Sequence, residues 1–171
     1  MEQAPLKLVV SGTVGAGKTT FIRSLSEIPV VDTDALASEA IGKTQTTVAM
    51  DFGTMTLDGL QLHLYGTPGQ DRFDFMWDIL VEGALGLVLL VAGDRPQDLP
   101  RARHILEYLT SRHPVPFIIG VTKQDLPRVW GPDEIGDYFG LGPEQVIGLN
   151  ALQAVSAEKV LLNLLQLLET D

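Results

Sequence analysis

The densest chemistry in this 171-residue chain is eight residues long: Gly12-Thr13-Val14-Gly15-Ala16-Gly17-Lys18-Thr19, with the spacing G-x-x-x-x-G-K-T. Glycines permit backbone angles that other residues resist, so several N–H groups can turn inward around one phosphate. Lys18 is then placed to neutralise the β- and γ-oxygens, and the Thr19 hydroxyl to ligate Mg²⁺. A helix beginning there adds the positive end of its dipole. At average residue frequencies such a pattern arises by chance in about one chain of this size in a hundred, so a plain glycine-rich turn is the weaker reading.

A second segment, Thr122-Lys123-Gln124-Asp125, carries the choice of base. A carboxylate accepts two hydrogen bonds from the N1–H and N2–H₂ edge of guanine, whereas adenine offers it no matching pair of donors. The Lys123 stem can cover one face of the base. Alone, a Lys and an Asp two apart are ordinary loop residues; placed at the carboxyl end of a strand, beside a phosphate loop, they predict guanine over adenine.

These segments need a frame. Leu6 to Ser11 reads as a strand running into the glycine loop, and Lys18 to Glu27 as a helix stopped by Pro29. Thr47 to Thr56 and Leu60 to Tyr65 are extended runs joined by Leu57-Asp58-Gly59, where Asp-Gly signals an antiparallel hairpin. Strand and helix then alternate: Leu85 to Ala92, Leu99 to Arg112, Val115 to Val121, Gln145 to Leu149 and Ala157 to Leu168. The nearly continuous apolar runs Leu85–Ala92 and Phe117–Val121 fit strands covered on both faces, which predicts a three-layer α/β sandwich.

Taken in order, the phosphate loop, Thr47-Val48-Ala49-Met50-Asp51-Phe52, Thr67-Pro68-Gly69-Gln70-Asp71-Arg72-Phe73, Thr122-Lys123-Gln124-Asp125 and the degenerate Asn150-Ala151-Leu152 resemble the boxes of Ras-like small GTPases, across nearly the whole chain. The resemblance implies a P-loop NTPase fold, with a six-stranded, mostly parallel sheet containing one antiparallel strand, and one G domain over residues 1–171. It implies that Gly15, Ala16, Gly17, Lys18, Thr19 and Thr20 cradle the phosphates, and that Thr47 joins Thr19 on Mg²⁺. Gly69 would offer its N–H to the γ-phosphate, and Gln70 would orient the attacking water, with Lys18 as the second catalytic group. Thr122, Lys123, Asp125, Asn150, Ala151 and Leu152 would hold the base, Ala151 through its backbone at O6.

Two positions depart from the family. Where most members have an Asp that holds Mg²⁺ through a water, this chain has Gly66, so either Mg²⁺ binds more weakly or another acid, such as Asp32 or Asp34, approaches. Where classical members have a small Gly facing an incoming arginine finger, this chain has Val14. The expectation is a switch that cycles between GTP and GDP with slow intrinsic hydrolysis; the alternative is a module that holds GTP with little or no hydrolysis. Tyr65-Gly66-Thr67-Pro68-Gly69-Gln70 and Phe75-Met76-Trp77-Asp78 look most like prokaryotic members related to the gliding-polarity GTPase. That resemblance implies a Roadblock-type regulatory partner and a role in signalling or polarity.

Composition narrows the partners. A net charge of -10, with 12 Lys and Arg against 22 Asp and Glu, leaves no basic stripe for a nucleic-acid backbone. The absence of cysteine excludes thiolate metal sites and cysteine lipidation. Ala84 to Ala92 is too short to cross a bilayer, and no basic amphipathic stretch offers a membrane anchor, so the expected location is the cytoplasm. His63, His104 and His113 show no spacing that suggests a metal site or relay.

Overall fold

The computed structural model describes residues 4–32, 51–67 and 74–169, of which 31–32 and 74–76 are described by backbone alone. Among the described residues the strands are β1 (Leu6–Gly12), β2 (Val31–Asp32), β3 (Asp51–Leu57), β4 (Leu60–Gly66), β5 (Gly86–Ala92), β6 (Phe117–Thr122) and β7 (Val146–Gly148). The helices among the described residues are α1 (Lys18–Leu25), α2 (Asp74–Val81), α3 (Leu99–Arg112), α4 (Pro132–Phe139) and α5 (Ala154–Glu169).

The sheet has the order β2-β3-β4-β1-β5-β6-β7. Strands β4, β1, β5, β6 and β7 are mutually parallel, and β3 runs against them. Six strands and one reversal are what the sequence leads one to expect; the seventh strand, β2, is a two-residue edge paired with β3. Strands β3 and β4 are joined at Asp58 (φ 51°) and Gly59 (φ 78°), both left-handed, as a tight two-residue hairpin turn requires.

Alternation along the central strands divides the core into two layers. Leu8, Val10, Val88, Leu90 and Ile118 face α1 and α5, where Phe21, Ile22, Ala157, Val160, Leu161 and Leu164 close over them. Val9, Leu87, Leu89, Val91, Ile119 and Val121 face the opposite way, against Trp77, Leu99, Ile105, Leu109 and Ile135 of α2, α3 and α4. All seven residues of β5 are buried, as a strand covered on both faces must be. This is the expected three-layer sandwich.

Trp77 of α2 is fully buried, edge-on to Tyr108 at 5.4 Å, and packs on the sheet. Phe75 and Met76 lie outside the described side chains, and Phe73 outside the described residues. Asp78, on the same helix, accepts hydrogen bonds from Tyr108 Oη (2.8 Å) and His113 Nε2 (3.0 Å). Burial pushes its carboxyl up, but those two bonds and the Arg112 charge outweigh it and hold the group below its usual value.

Candidate functional site

In a parallel sheet the carboxyl ends of the strands share one edge, and a crevice opens where neighbouring connections depart to opposite faces. Here that edge gathers the loop after β1, Thr67 after β4, the segment after β6 and the segment after β7. Because β3 is antiparallel, its first residue, Asp51, arrives at the same edge, directly opposite Gly66.

The loop from Gly12 to Gly17 follows β1. Gly12 (φ 148°) lies so close to β5 that a Cβ there would come 2.5 Å from the Leu90 carbonyl oxygen, and Gly17 caps α1 in a left-handed conformation (φ 105°). No L side chain is accommodated easily at either place. Lys18 Nζ donates to the carbonyls of Gly12 (2.8 Å) and Thr13 (2.7 Å), folding its ammonium back across the loop. Burial lowers the Lys18 pKa to about 8, against an upward pull from Asp51 and alongside a downward push from Arg101. Such an amine lacks a full counter-charge, the state that an added phosphate would relieve.

The Thr19 hydroxyl donates to Asp51 Oδ2 at 2.5 Å. This contact brings a further acid, Asp51, to the place that Gly66 leaves without one. Asp34 lies outside the described residues and Asp32 is described by backbone only, paired with Asp51; among the described side chains, the carboxylate that reaches Thr19 is Asp51's. A Cβ at Gly66 would meet Ile22 Cδ1 at 3.0 Å and Asp51 Cβ at 3.4 Å. The small residue on β4 and the acid on β3 thus share one place across the hairpin. The position was legible: counting outward from Asp58-Gly59, residue 51 faces residue 66. Just beyond, the buried Thr67 and Ser11 hydroxyls are bonded at 2.8 Å, and the Thr67 N–H donates to the Val10 carbonyl.

The second group lies where the sequence places it. Thr122, Lys123, Asp125, Asn150, Ala151 and Leu152 line one hollow of about 150 Å³ together with Gly17, Thr20 and Leu126. Thr122 Oγ1 donates to the Ala16 carbonyl at 2.9 Å, which joins this segment to the phosphate loop. Lys123 holds φ 67°, a conformation uncommon for a non-glycine residue. The side chains of Lys123, Asp125 and Leu152 are exposed, while Thr122 and Ala151 are buried beneath them.

The loop after β7 is held by short side chains, of which Asn150 is an expected site residue and Ser24 and Ser156 are not. Ser156 accepts the Asn150 N–H (2.9 Å), and Asn150 Oδ1 accepts the Leu152 N–H (3.0 Å) in a local turn. Ser24 of α1 donates to the Ala151 carbonyl at 2.6 Å. Ser24 and Ser156 carry no sequence signature, since a single Ser on a helix is common.

Thr47, Gly69 and Gln70 lie outside the described residues, so three of the expected positions have no geometry here. Among the described residues no three His, Asp or Glu side chains gather into a metal cage. His113 is bound to Asp78 and the His63 ring lies edge-on to Phe52 at 5.2 Å, structural places both. Arg103 and Arg112 each lie 4.4 Å over a tyrosine ring, Tyr138 and Tyr108. A larger hollow, about 450 Å³ between Thr110, Phe117 and Leu167, opens at the amino end of β6, away from the phosphate loop. No described helix is long and apolar enough to cross a membrane.

Residues 30–140 match the model of a family described as conserved hypothetical ATP binding protein. An uncharacterized protein of Methanocaldococcus jannaschii is 32% identical over 132 residues, 74% of this chain and 75% of its own length. Translation initiation factor IF-2 of Mycoplasma mobile is 32% identical over 127 residues, and that of Clostridium botulinum 28% over 172. The match spans only 19% and 23% of those two factors.

Proposed function

This chain belongs to the family of conserved hypothetical ATP binding proteins, and we propose that its nucleotide is guanine, held as GTP or GDP at the edge where the phosphate loop and the Asp125 segment meet. The observation that carries this reading is the shared hollow: Asp125, Lys123 and the Asn150–Leu152 loop line one recess with Gly17 and Thr20 of the phosphate end. The family description names ATP. A carboxylate at that place supports guanine over adenine, whose N1 is an acceptor and would face Asp125 without a proton between them.

In this reading Gly15, Ala16, Gly17 and Lys18 bind the phosphates, and Ala151 meets the base through its backbone. The donors at Thr19 and Asp51, two hard oxygens, fit Mg²⁺, which would be held with the nucleotide's own phosphates, Thr19 directly and Asp51 beside it in place of an acid at Gly66. Bound there, the cation would supply charge neutralisation across the β- and γ-phosphates. Thr47 would complete this set, and Gly69 would donate to the γ-phosphate.

The activity is slow GTP hydrolysis: Gln70 orients a water, its oxygen attacks the γ-phosphorus, and the bond to the β–γ bridging oxygen breaks to give GDP and phosphate. The protein acts as a switch of the Ras-like type, with residues 43–52 and 66–77 as its output segments and a Roadblock-type protein as its regulator by resemblance. Val14 stands 56% exposed on the lip of the phosphate loop, where it narrows the approach of a partner's arginine and favours slow turnover.

Competition titration with a fluorescent nucleotide tests the base. GTP and GDP should displace it and ATP should not, and Asp125→Asn should weaken guanine nucleotides on the order of a hundredfold while admitting xanthine nucleotides. ATP affinity equal to GTP affinity overturns the guanine assignment. Phosphate release lost in Gln70→Leu supports hydrolysis; bound GTP that persists unchanged in both proteins identifies a module that only holds it.

A further inference from the structure

One residue inside the base segment has no place in the reading above. Gln124 lies between two exposed residues that line the recess, yet its own side chain turns the other way and is half-buried. Its Nε2 donates to the Trp130 carbonyl at 2.9 Å and to the Thr122 carbonyl at 3.3 Å. Those carbonyls stand at the two ends of the loop that carries Lys123 and Asp125, so a single amide ties the loop shut at its base.

The surroundings are shaped for that amide. Gly93, just past β5, would carry a Cβ only 2.7 Å from Gln124 Nε2, and a Cβ on Gly148 would lie 3.1 Å from Gln124 Cγ. Gly93 also uses its own backbone on the same two loop ends, its N–H donating to the Thr122 carbonyl (3.1 Å) and its carbonyl accepting the Trp130 N–H (2.9 Å). Between those ends the turn has one backbone bond of its own, from the Leu126 N–H to the Lys123 carbonyl (3.1 Å). Lys123 meanwhile sits in a left-handed conformation that persists only where neighbouring contacts impose it.

We propose that Gln124 is the positioning residue of the base end: through its two hydrogen bonds it holds the Lys123–Asp125 turn in the shape that presents Asp125 to a bound nucleoside. The proposal rests on the reading of the hollow as a base site. It assigns Gln124 to retention of the base, with no part in holding phosphate.

The test uses the whole chain and two substitutions. Gln124→Met fills the same groove without an amide, and Gln124→Glu puts a carboxylate against two carbonyl oxygens. Release of N-methylanthraniloyl GDP and ADP is followed by stopped flow, and pyrophosphate affinity by competition. For whichever nucleoside diphosphate the unaltered protein retains longer, Gln124→Met should release it about tenfold faster with pyrophosphate affinity unchanged. Gln124→Glu should be faster still near neutral pH and should recover as the pH falls and the protonated acid becomes a donor; Gln124→Met should show no such recovery.

Release from Gln124→Met at the unaltered rate overturns the proposal, because shape alone would then suffice. A parallel loss of pyrophosphate affinity overturns it too, as general damage. Longer retention of ADP than of GDP removes the guanine assignment while leaving the role of Gln124 to be read on ADP. A protein that retains neither nucleoside better than pyrophosphate removes the base site and this proposal together.

Discussion

The two ends of the site are built from different materials. At the phosphate end the loop backbone supplies the receptor, and its polar side chains are satisfied within it: Lys18 on the carbonyls of Gly12 and Thr13, Thr19 on Asp51. At the base end the groups that would read a ligand, Lys123 and Asp125, are exposed, and order comes from beneath, through Thr122, Gln124, Ser24 and Ser156. One end is a receptor made by local chain geometry; the other is a set of loops propped from several elements. The difference predicts that damage at the first is general to phosphate ligands, and damage at the second is selective for nucleosides.

The severest break should come from Lys18→Ala. Loss of a charge-assisted contact weakens GTP, GDP and pyrophosphate alike, by a hundredfold or roughly that, as isothermal titration would read. If pyrophosphate binding survives while nucleotide binding falls, the two ends are not separate in the way described.

Asp51→Asn comes next. It should leave nucleotide affinity without Mg²⁺ nearly unchanged and reduce the gain on adding Mg²⁺ by roughly ten- to a hundredfold, measured as nucleotide affinity across a magnesium titration. An unchanged magnesium dependence removes Asp51 from the cation's surroundings.

The pH should separate the ends at smaller cost. Lys18 has a pKa of about 8 in the nucleotide-free protein, and a phosphate beside it would raise that value, so binding above pH 8 takes up a proton. Affinity should be flat well below pH 8 and decline above it, by at most about tenfold per unit. Because the Asp51 charge pulls that pKa upward, Asp51→Asn should move the onset of decline to lower pH. A decline of equal size in Lys18→Ala assigns the effect to another group.

Smallest of these is Ser24→Ala. Removing one hydroxyl from the Ala151 carbonyl should weaken GDP by about fivefold and leave pyrophosphate alone. Equal losses for both ligands would place Ser24 with the phosphate end.

What the sequence made legible follows the same division. The phosphate loop can be read from eight residues because its constraint is local, a backbone path that only certain residues tolerate. The central strands are legible because burial on both faces leaves Leu87, Val88, Leu89, Leu90 and Val91 no polar position. The helix Pro132–Phe139 leaves little periodicity in the sequence: it buries only Ile135 and Gly136, so its apolar stripe is narrow, although Pro132, Glu134 and Gly140 mark its two ends. A two-residue strand such as β2 can show no period at all. Asp51 needed a cross-strand count, and Ser24 and Gln124 act through contacts 127 and 6 residues away in the chain, distances over which their residue types say nothing.

The Ser24 contact has one more consequence. Helix α1 begins at the phosphate loop and, six residues later, is pinned to the loop that borders the base recess. The span between the two ends is therefore set by a rigid rod of less than two turns, and a nucleotide that reaches both is a bivalent ligand on a fixed ruler. Once its phosphates are seated, the base meets its recess at the high effective concentration of a tethered group. A nucleoside without phosphate, or pyrophosphate without a nucleoside, has no such tether, and the whole molecule should bind far more tightly than either fragment.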